Sequence, residues 1–308
     1  MILSICLNTS LDTRYTAPGF RAGKIIATEP PHITAGGKAL NLARVAAILG
    51  GKVTAAGLVG QESMDFFCCS MAELDITPQF LATPNPSRRC LNIIDPETNL
   101  STQLLEKGYP LKGEDFAQFL VLLEELIPQA TVVCLSGSVP PGLPGNVYAR
   151  IGELARKHNR PFILDARGQH LREGLEARPF AVKPNLQELE EYAGRPLKSR
   201  AEQVQALKDL NADLKIVTLG EEGALCLTGD SLWQISMPPI EAKNPVGSGD
   251  AFVAGLSLGL VKNLPLKDAL ALAAAAGAAN ALEPGTGQVD PLQVEALLPQ
   301  VKVFSQMV

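Results

Sequence analysis

Strand-like apolar runs alternate with helical patterns along most of this chain, and that alternation limits the folds open to it. Val132-Val133-Cys134-Leu135 reads as a strand that ends in Ser136-Gly137-Ser138. Residues 148–158 carry helical spacing, and 161–165 read as the next strand. Residues 180–183 give another strand, 186–192 a helix, and 214–220 a further strand. Such a rhythm predicts an α/β fold with a mainly parallel sheet covered by helices. Ligands in such sheets sit beyond the carboxyl ends of the strands, where Ser138, Asp165 and Lys183 fall.

Two stretches break the rhythm. Residues 13–34 and about 88–105 lack helical spacing and read as extended strands with turns. In Arg89-Cys90-Leu91-Asn92-Ile93-Ile94 the alternation suggests a half-buried sheet. Two ordinary loops of that length would be unusual. The expectation is a small β-lid from 13–34 and 88–105, over a main domain of 1–12, 35–87 and 106–308. There is no internal repeat and no low-complexity linker.

Composition narrows the function classes. Hydrophobic residues make up 46% of the 308 positions, ample for a large core, but aromatics only 5%, so aliphatic side chains must fill it. The net charge of −5 argues against a nucleic-acid surface, and an anionic substrate must be drawn by local charge. Met1-Ile2-Leu3-Ser4-Ile5 starts a strand directly, without the pattern of a signal peptide. The alanine-rich run 269–281 is too short for a bilayer. A cytoplasmic protein without membrane or nucleic-acid partners is expected. The six cysteines show no C-x-x-C spacing and read as buried, reduced thiols.

Chemistry enters with Asn244-Pro245-Val246-Gly247-Ser248-Gly249-Asp250-Ala251-Phe252. A glycine turn here runs into a small-residue helix, which leaves free backbone N–H groups at a helix N-terminus, a ready anion site. Asp250 sits where a bound anion would repel it. Either it is a helix-start residue favoured by the dipole, or it is a general base beside a transferred phosphate. A second block, Ala35-Gly36-Gly37-Lys38-Ala39-Leu40-Asn41-Leu42-Ala43, again runs from a Gly-Gly turn into a helix, with Leu40, Ala43 and Ala47 on one apolar face. Lys38 and Asn41 lie in its first turns. Two such turns, one near each end of the chain, suit a two-substrate site. The chain has no G-x-x-x-x-G-K-[ST] segment, so this anion hole is not a P-loop.

The two blocks together resemble the two signatures of the ribokinase-like (PfkB) family of carbohydrate kinases. The resemblance runs from Leu7-Asn8-Thr9-Ser10-Leu11-Asp12 to the alanine-rich helix ending near Asn280. It implies a ribokinase-like three-layer α/β/α sandwich with a small β-sheet lid that covers the sugar and often forms a dimer contact, hence a homodimer. Asn-Pro-Val-Gly-Ser-Gly-Asp and Leu105-Glu106-Lys107-Gly108 look most like tagatose-6-phosphate kinase, within the branch that includes 1-phosphofructokinase and the minor 6-phosphofructokinase.

The resemblance implies an ATP-dependent kinase that converts a ketohexose phosphate to the 1,6-bisphosphate. The acceptor would be tagatose 6-phosphate, fructose 1-phosphate or fructose 6-phosphate. Asp250 would take the proton of the attacking hydroxyl, and the amides of Gly247, Ser248 and Gly249 would stabilise the moving charge. Family members more often carry Ala at Ser248, a swap that leaves the amide unchanged. Asp12, Gly36, Gly37 and Asn41 would bind sugar hydroxyls, with Ala39 where the common form has Gly. Ser138 would join the substrate site. Lys24 and Arg88 match phosphate-binding positions, with Lys38 nearby and Arg89 an alternative ligand that an extended strand would point the other way.

Lys183-Pro184-Asn185-Leu186-Gln187-Glu188 resembles the family's Asn-x-x-Glu motif, which implies magnesium near Asn185 and Glu188, through water; the alternative is a helix start with Glu in its first turn. Lys183, Thr218, Gly220 and Gly223 would border the nucleotide. Asn280 would border the adenine or be a helix-surface amide. Two other readings stand beside this one. A free-sugar or nucleoside kinase is expected if Lys24 and Arg88 do not converge, and a non-catalytic sensor of sugar phosphate if turnover is lacking.

Overall fold

The computed structural model of the protein describes residues 1–98, 100–237 and 239–307. Asn99, in the second predicted lid segment, and Pro238 and Val308, in the predicted main domain, lie outside the described residues. The first half of the chain holds β1 (Ile2–Cys6), β2 (Ser10–Thr16), β3 (His32–Gly36), α1 (Lys38–Ile48), β4 (Val53–Gly60), α2 (Met64–Ala72), β5 (Thr77–Thr83), β6 (Arg88–Asp95), β7 (Leu100–Leu105), α3 (Gly113–Leu126), β8 (Val132–Ser136) and α4 (Val147–Lys157). The second half holds β9 (Phe162–Asp165), α5 (Gly168–Gly174), β10 (Ala181–Val182), α6 (Leu186–Ala193), α7 (Arg200–Lys208), β11 (Leu214–Thr218), β12 (Ala224–Thr228), β13 (Ser231–Ser236), α8 (Ser248–Val261), α9 (Leu266–Leu282), α10 (Pro291–Leu297) and β14 (Lys302–Met307).

The large sheet runs β14-β13-β12-β11-β10-β9-β8-β1-β4-β5. Its pairs from β11 through to β5 are parallel, and β12, β13 and β14 extend it antiparallel. The inner parallel strands β1, β4, β8, β9 and β10 are buried throughout, as near-continuous apolar runs require, while the edge strand β5 is mostly half-buried or exposed. Successive residues feed opposite cores: Val132 and Cys134 pack with α1, α8 and α9, while Val133 and Leu135 pack with α3 and α4. The result is the ribokinase-like three-layer α/β/α sandwich.

The helices α8 and α9 approach closely because their contact is built from small residues. A Cβ on Gly255 would lie 2.7 Å from Ala273 Cα, and one on Gly259 would lie 2.8 Å from Ala269 Cα. The alanine-rich run is therefore the middle of a core helix; among the described residues no helix is long and apolar enough to cross a membrane. The thiols divide: Cys6, Cys134 and Cys226 are buried, Cys68 and Cys90 half-buried, and Cys69 exposed. The expectation of six buried thiols thus fails on α2, an outer helix with only Phe67 and Met71 buried, and in β6.

A second sheet of four strands, β3-β2-β6-β7, stands apart from the first. β2 pairs antiparallel with β3 and parallel with β6, which sets Ser10 beside Arg88, Asp12 beside Thr34 and Cys90, and Arg14 beside His32 and Asn92. Residues 17–31 form no strand. One face of this sheet looks onto the carboxyl ends of β1, β8, β9 and β11.

Candidate active site

Between the small sheet and those strand ends lies a cleft of about 1400 Å³. Both glycine blocks open into it, each at the start of a helix: Gly37 precedes α1 and Gly247 precedes α8. Gly247 has φ 87°, a left-handed turn that favours glycine. A Cβ there would also meet Thr286 Cγ2 at 2.7 Å. Ser248 does not offer a free amide, which corrects the predicted three-amide hole: its N–H donates to Pro245 O over 3.2 Å and closes the turn. Among the described residues the amides of Gly247 and Gly249 donate to nothing, so the helix start presents those two to a ligand. Lys183 Nζ lies 3.3 Å from where a Gly249 Cβ would be, which puts a buried ammonium at the same turn.

Asp250 sits in the first turn of α8 and is 4% exposed. Its Oδ2 accepts from Asn41 Nδ2 over 2.9 Å, so the two blocks meet at this carboxyl. Burial raises its pKa to about 7, against the lowering effect of Lys38, with Asp165 adding to the rise and the Asn41 bond and Lys183 opposing it. A carboxyl titrating there can exchange a proton near neutral pH.

Behind it lies an ion cluster. Asp165, fully buried at the end of β9, is approached by Lys183 Nζ at 3.4 Å and Lys38 Nζ at 3.6 Å. Burial alone would push the Asp165 carboxyl up, but Lys183 and Lys38, helped by Ser136, hold it below the ordinary range. Asp165 in turn holds the Lys38 ammonium well above its ordinary pKa, against burial. Lys38 also reaches Glu188 at 3.6 Å.

Asp12 occupies the cleft face of the small sheet, with Ser10 Oγ donating to its Oδ1 over 2.6 Å. Burial raises its pKa, while Ser10, Arg88 and Arg44 oppose the rise. Gly36 does not line the cleft; it backs Asp12, and a Cβ there would overlap the carboxylate. Arg88 lines the cleft, donating from Nε to Asn8 O over 3.2 Å and from Nη1 to Glu106 O over 3.0 Å. Asn8 Nδ2 bridges to Ser138 Oγ over 3.0 Å, so Arg88 and Ser138 share one corner. Arg89 points away and is exposed, as strand alternation requires.

Besides Gly36, two expected site residues, Lys24 and Asn280, fall elsewhere, whereas Asn185 lines the cleft in a structural role. Lys24 is exposed and does not line the cleft, because residues 17–31 pair with no strand that would turn it inward. Asn280 borders neither the cleft nor solvent: fully buried, it donates to Val246 O over 2.9 Å and accepts from Gly287 N over 2.9 Å, pinning the turn from behind. Asn185 is the N-cap of α6 in a capping box, its Oδ1 accepting from Glu188 N and its N–H donating to Glu188 Oε2. The capping bond takes one lone pair of that oxygen and accounts for Asn185 at this position without a metal.

Among the described residues no group of three or more His, Cys, Asp or Glu side chains could hold a metal ion. The remaining Glu188 Oε1, beside Lys38, fits a magnesium ion held through water and ligand phosphates, which needs few protein ligands. Gly37, Lys38, Asn41, Lys183, Thr218, Gly220 and Gly223 all line the cleft. So do Asn8, Ser10, Arg14, His32 and Asn92, which sequence reading passed over. The i, i+2 spacing of Ser10, Asp12 and Arg14 on a strand carried that signal.

Known proteins share this fold. The structure is similar to phosphofructokinase-2 from Escherichia coli in its potassium complex, at 25% identity over 97% of this chain and 98% of that one, with a TM-score of 0.91. It shares its fold with a possible 1-phosphofructokinase from Thermotoga maritima, at 22% identity over 99% of each chain, with a TM-score of 0.87. Residues 7–292 match the family described as pfkB family carbohydrate kinase, and the chain belongs to that family.

Proposed function

We propose that this protein transfers the terminal phosphoryl group of ATP to a hydroxyl of a phosphorylated ketohexose, giving the 1,6-bisphosphate. The observation that carries the reading is the placement of Asp250: a buried carboxyl titrating near 7, held by Asn41 from one block and adjoining the free amides of the other. The acceptor hydroxyl donates its proton to Asp250 as its oxygen forms the new bond to phosphorus, and the bond from phosphorus to the ADP oxygen breaks. Phosphoryl transfer needs positioning and charge stabilisation more than covalent help. The Gly247 and Gly249 amides and the Lys183 ammonium supply donors where that charge develops. Glu188 would hold magnesium through water, and the ion would offset phosphate charge. Thr218, Gly220 and Gly223 border the nucleotide, and Asp12, Gly37 and Asn41 the sugar.

The small sheet acts as a lid that excludes water, which would otherwise take the phosphoryl group. Its face away from the cleft exposes Ile33, Leu100 and Leu104, an apolar surface suited to a second copy of the chain. Arg88, with Asn8 and Ser138 beside it, supports a phosphate on the acceptor, as does the similarity to a phosphofructokinase. A second reading, a free-sugar kinase, is favoured by the position of Lys24 outside the cleft.

The test is ATP turnover with Mg²⁺ against free sugars, nucleosides, fructose 1-phosphate, fructose 6-phosphate and tagatose 6-phosphate, with Asp250→Asn as control. Turnover confined to the ketohexose phosphates and lost in the variant supports the first reading. Turnover with free sugars selects the second, and ligand binding without turnover selects a sensor.

A further inference from the structure

Arg44 is a buried cation with no ion pair of its own. It is 9% exposed, and among the described residues no carboxylate comes within salt-bridge distance of its guanidinium. Instead the group spends its fork on three oxygens. Nη2 donates to Ala35 O over 2.7 Å, and Nη1 donates to Thr286 O over 3.2 Å and to Asn41 Oδ1 over 3.3 Å. Burying a charge without a contact partner is costly, and an apolar side chain of similar volume would fill α1 there more cheaply. The three hydrogen bonds and the nearby carboxylates Asp12 and Asp250 offset part of that cost.

The third of those bonds shows what the cation does. Asn41 has two amide ends of opposite character. Arg44 binds the oxygen end, so the Nδ2–H end is the one left to face Asp250. With the amide reversed, an oxygen would face the carboxylate and an N–H would face the guanidinium, two repulsive contacts in place of two attractive ones. The other two bonds anchor the guanidinium to the end of β3 and to the loop after α9. That loop presses on the same spot, since a Cβ on Gly287 would lie 2.8 Å from Asn41 Cβ and 2.9 Å from Arg44 Nη1.

We propose that Arg44 is a positioning residue for phosphoryl transfer: it fixes the amide of Asn41 so that its N–H group holds Asp250 in the orientation from which it takes the acceptor proton. This rests on the reading of Asp250 as the base. Arg44 touches no reacting atom and acts through Asn41. Its guanidinium also feels Asp12 and Asp250 at longer range: burial lowers its pKa, and those two carboxylates oppose the lowering. It thus favours the ionised form of Asp12, whereas its effect on Asp250 runs through the Asn41 hydrogen bond. The charged groups facing the Asp250 carboxyl are Lys38 and Arg44 on α1, Asp165 at the end of β9, and Lys183 beyond β10, while Asp12 faces Arg44 from β2.

The experiment is the pH profile of kcat/KM from pH 5.5 to 9.5 for wild type, Arg44→Met, Arg44→Lys, Asn41→Ala and the double variant Arg44→Met/Asn41→Ala, with melting temperatures for each. Arg44→Met is expected to move the acid limb up by about one unit, so that its deficit at pH 6 exceeds its deficit at pH 9 by about tenfold. Arg44→Lys keeps the charge without the planar fork, so its limb should move nearly as far as that of Arg44→Met; a limb left at the wild-type position would assign the effect to charge alone and overturn the proposal. In the Asn41→Ala background Arg44→Met should add little further shift. A uniform loss at every pH in both Arg44 variants, or shifts that simply add in the double variant, overturns the proposal. If Arg44→Met does not fold, the Arg44→Lys profile and the Asn41→Ala comparison still decide. Failure of the base reading looks different: Asp250→Asn would then retain turnover, or the wild type would show no acid limb.

Discussion

Asn41 Nδ2 donates to Asp250 Oδ2 over 2.9 Å, a bond that joins side chains 209 positions apart in the chain. It ties the helix that follows the first glycine turn to the helix that follows the second. The carboxyl it holds is buried and titrates at about 7. Several consequences can be measured.

Activity should rise with pH on an acid limb near 7, because burial raises the Asp250 pKa and only the ionised form can take a proton. Asp250→Asn keeps the shape and can still accept from Asn41, but it cannot act as a base. Turnover should fall by about 10²–10⁴-fold with little change in ATP affinity. Steady-state kinetics and nucleotide titration check both parts. A limb near 4 would show that the carboxyl is not buried as the fold implies.

The same group makes stability depend on pH. The folded chain holds Asp250 at about 7 against a reference of 3.8, so between those values it binds more protons than the unfolded chain. This contribution is therefore full at low pH and lost as pH rises through about 7. Asp250→Asn removes that loss and should raise the melting temperature at pH 8 by on the order of 3–5 °C, with no gain at pH 4. Scanning calorimetry at the two pH values tests it.

Gly36→Ala should damage sugar binding more than folding. The added methyl group overlaps the Asp12 carboxylate and must displace it from the cleft face. An ångström of misplacement at such a site can cost about 10²-fold. KM for the acceptor should climb at least tenfold while KM for ATP stays put; equal effects on both would point to general disorder instead.

Arg88 and Lys24 should differ sharply. Arg88 lines the cleft beside Asn8 and Ser138, and Lys24 stands exposed outside it. Arg88→Ala should raise KM for a phosphorylated acceptor by about 10–10²-fold, as loss of charge-assisted bonds implies. Lys24→Ala should change it by less than about threefold. The comparison is made at low enzyme concentration and again at high. A large Lys24 effect only at high concentration would bring in a second copy of the chain.

By itself the sequence determined what depends on local pattern. The alternation of apolar runs with helical spacing demanded a parallel sheet between helices, because each pattern can bury its apolar side in only one way. Gly37 and Gly247 marked the two turns, since only glycine adopts their backbone angles without strain. The Asp250 position at a helix start was visible for the same reason. Tertiary structure decided what depends on groups distant in the chain. Asn280 read as a cleft or surface amide until packing buried it behind the turn. Lys24 and Arg88 matched by position in the chain, yet strand pairing turned only Arg88 inward. Arg44 sits one helical turn from Asn41, but its grip on the Asn41 oxygen has meaning only because Asp250 arrives at the other end of that amide. Short-range backbone and burial preferences are written in neighbouring residues, whereas the meeting of side chains hundreds of residues apart is set by how the layers pack.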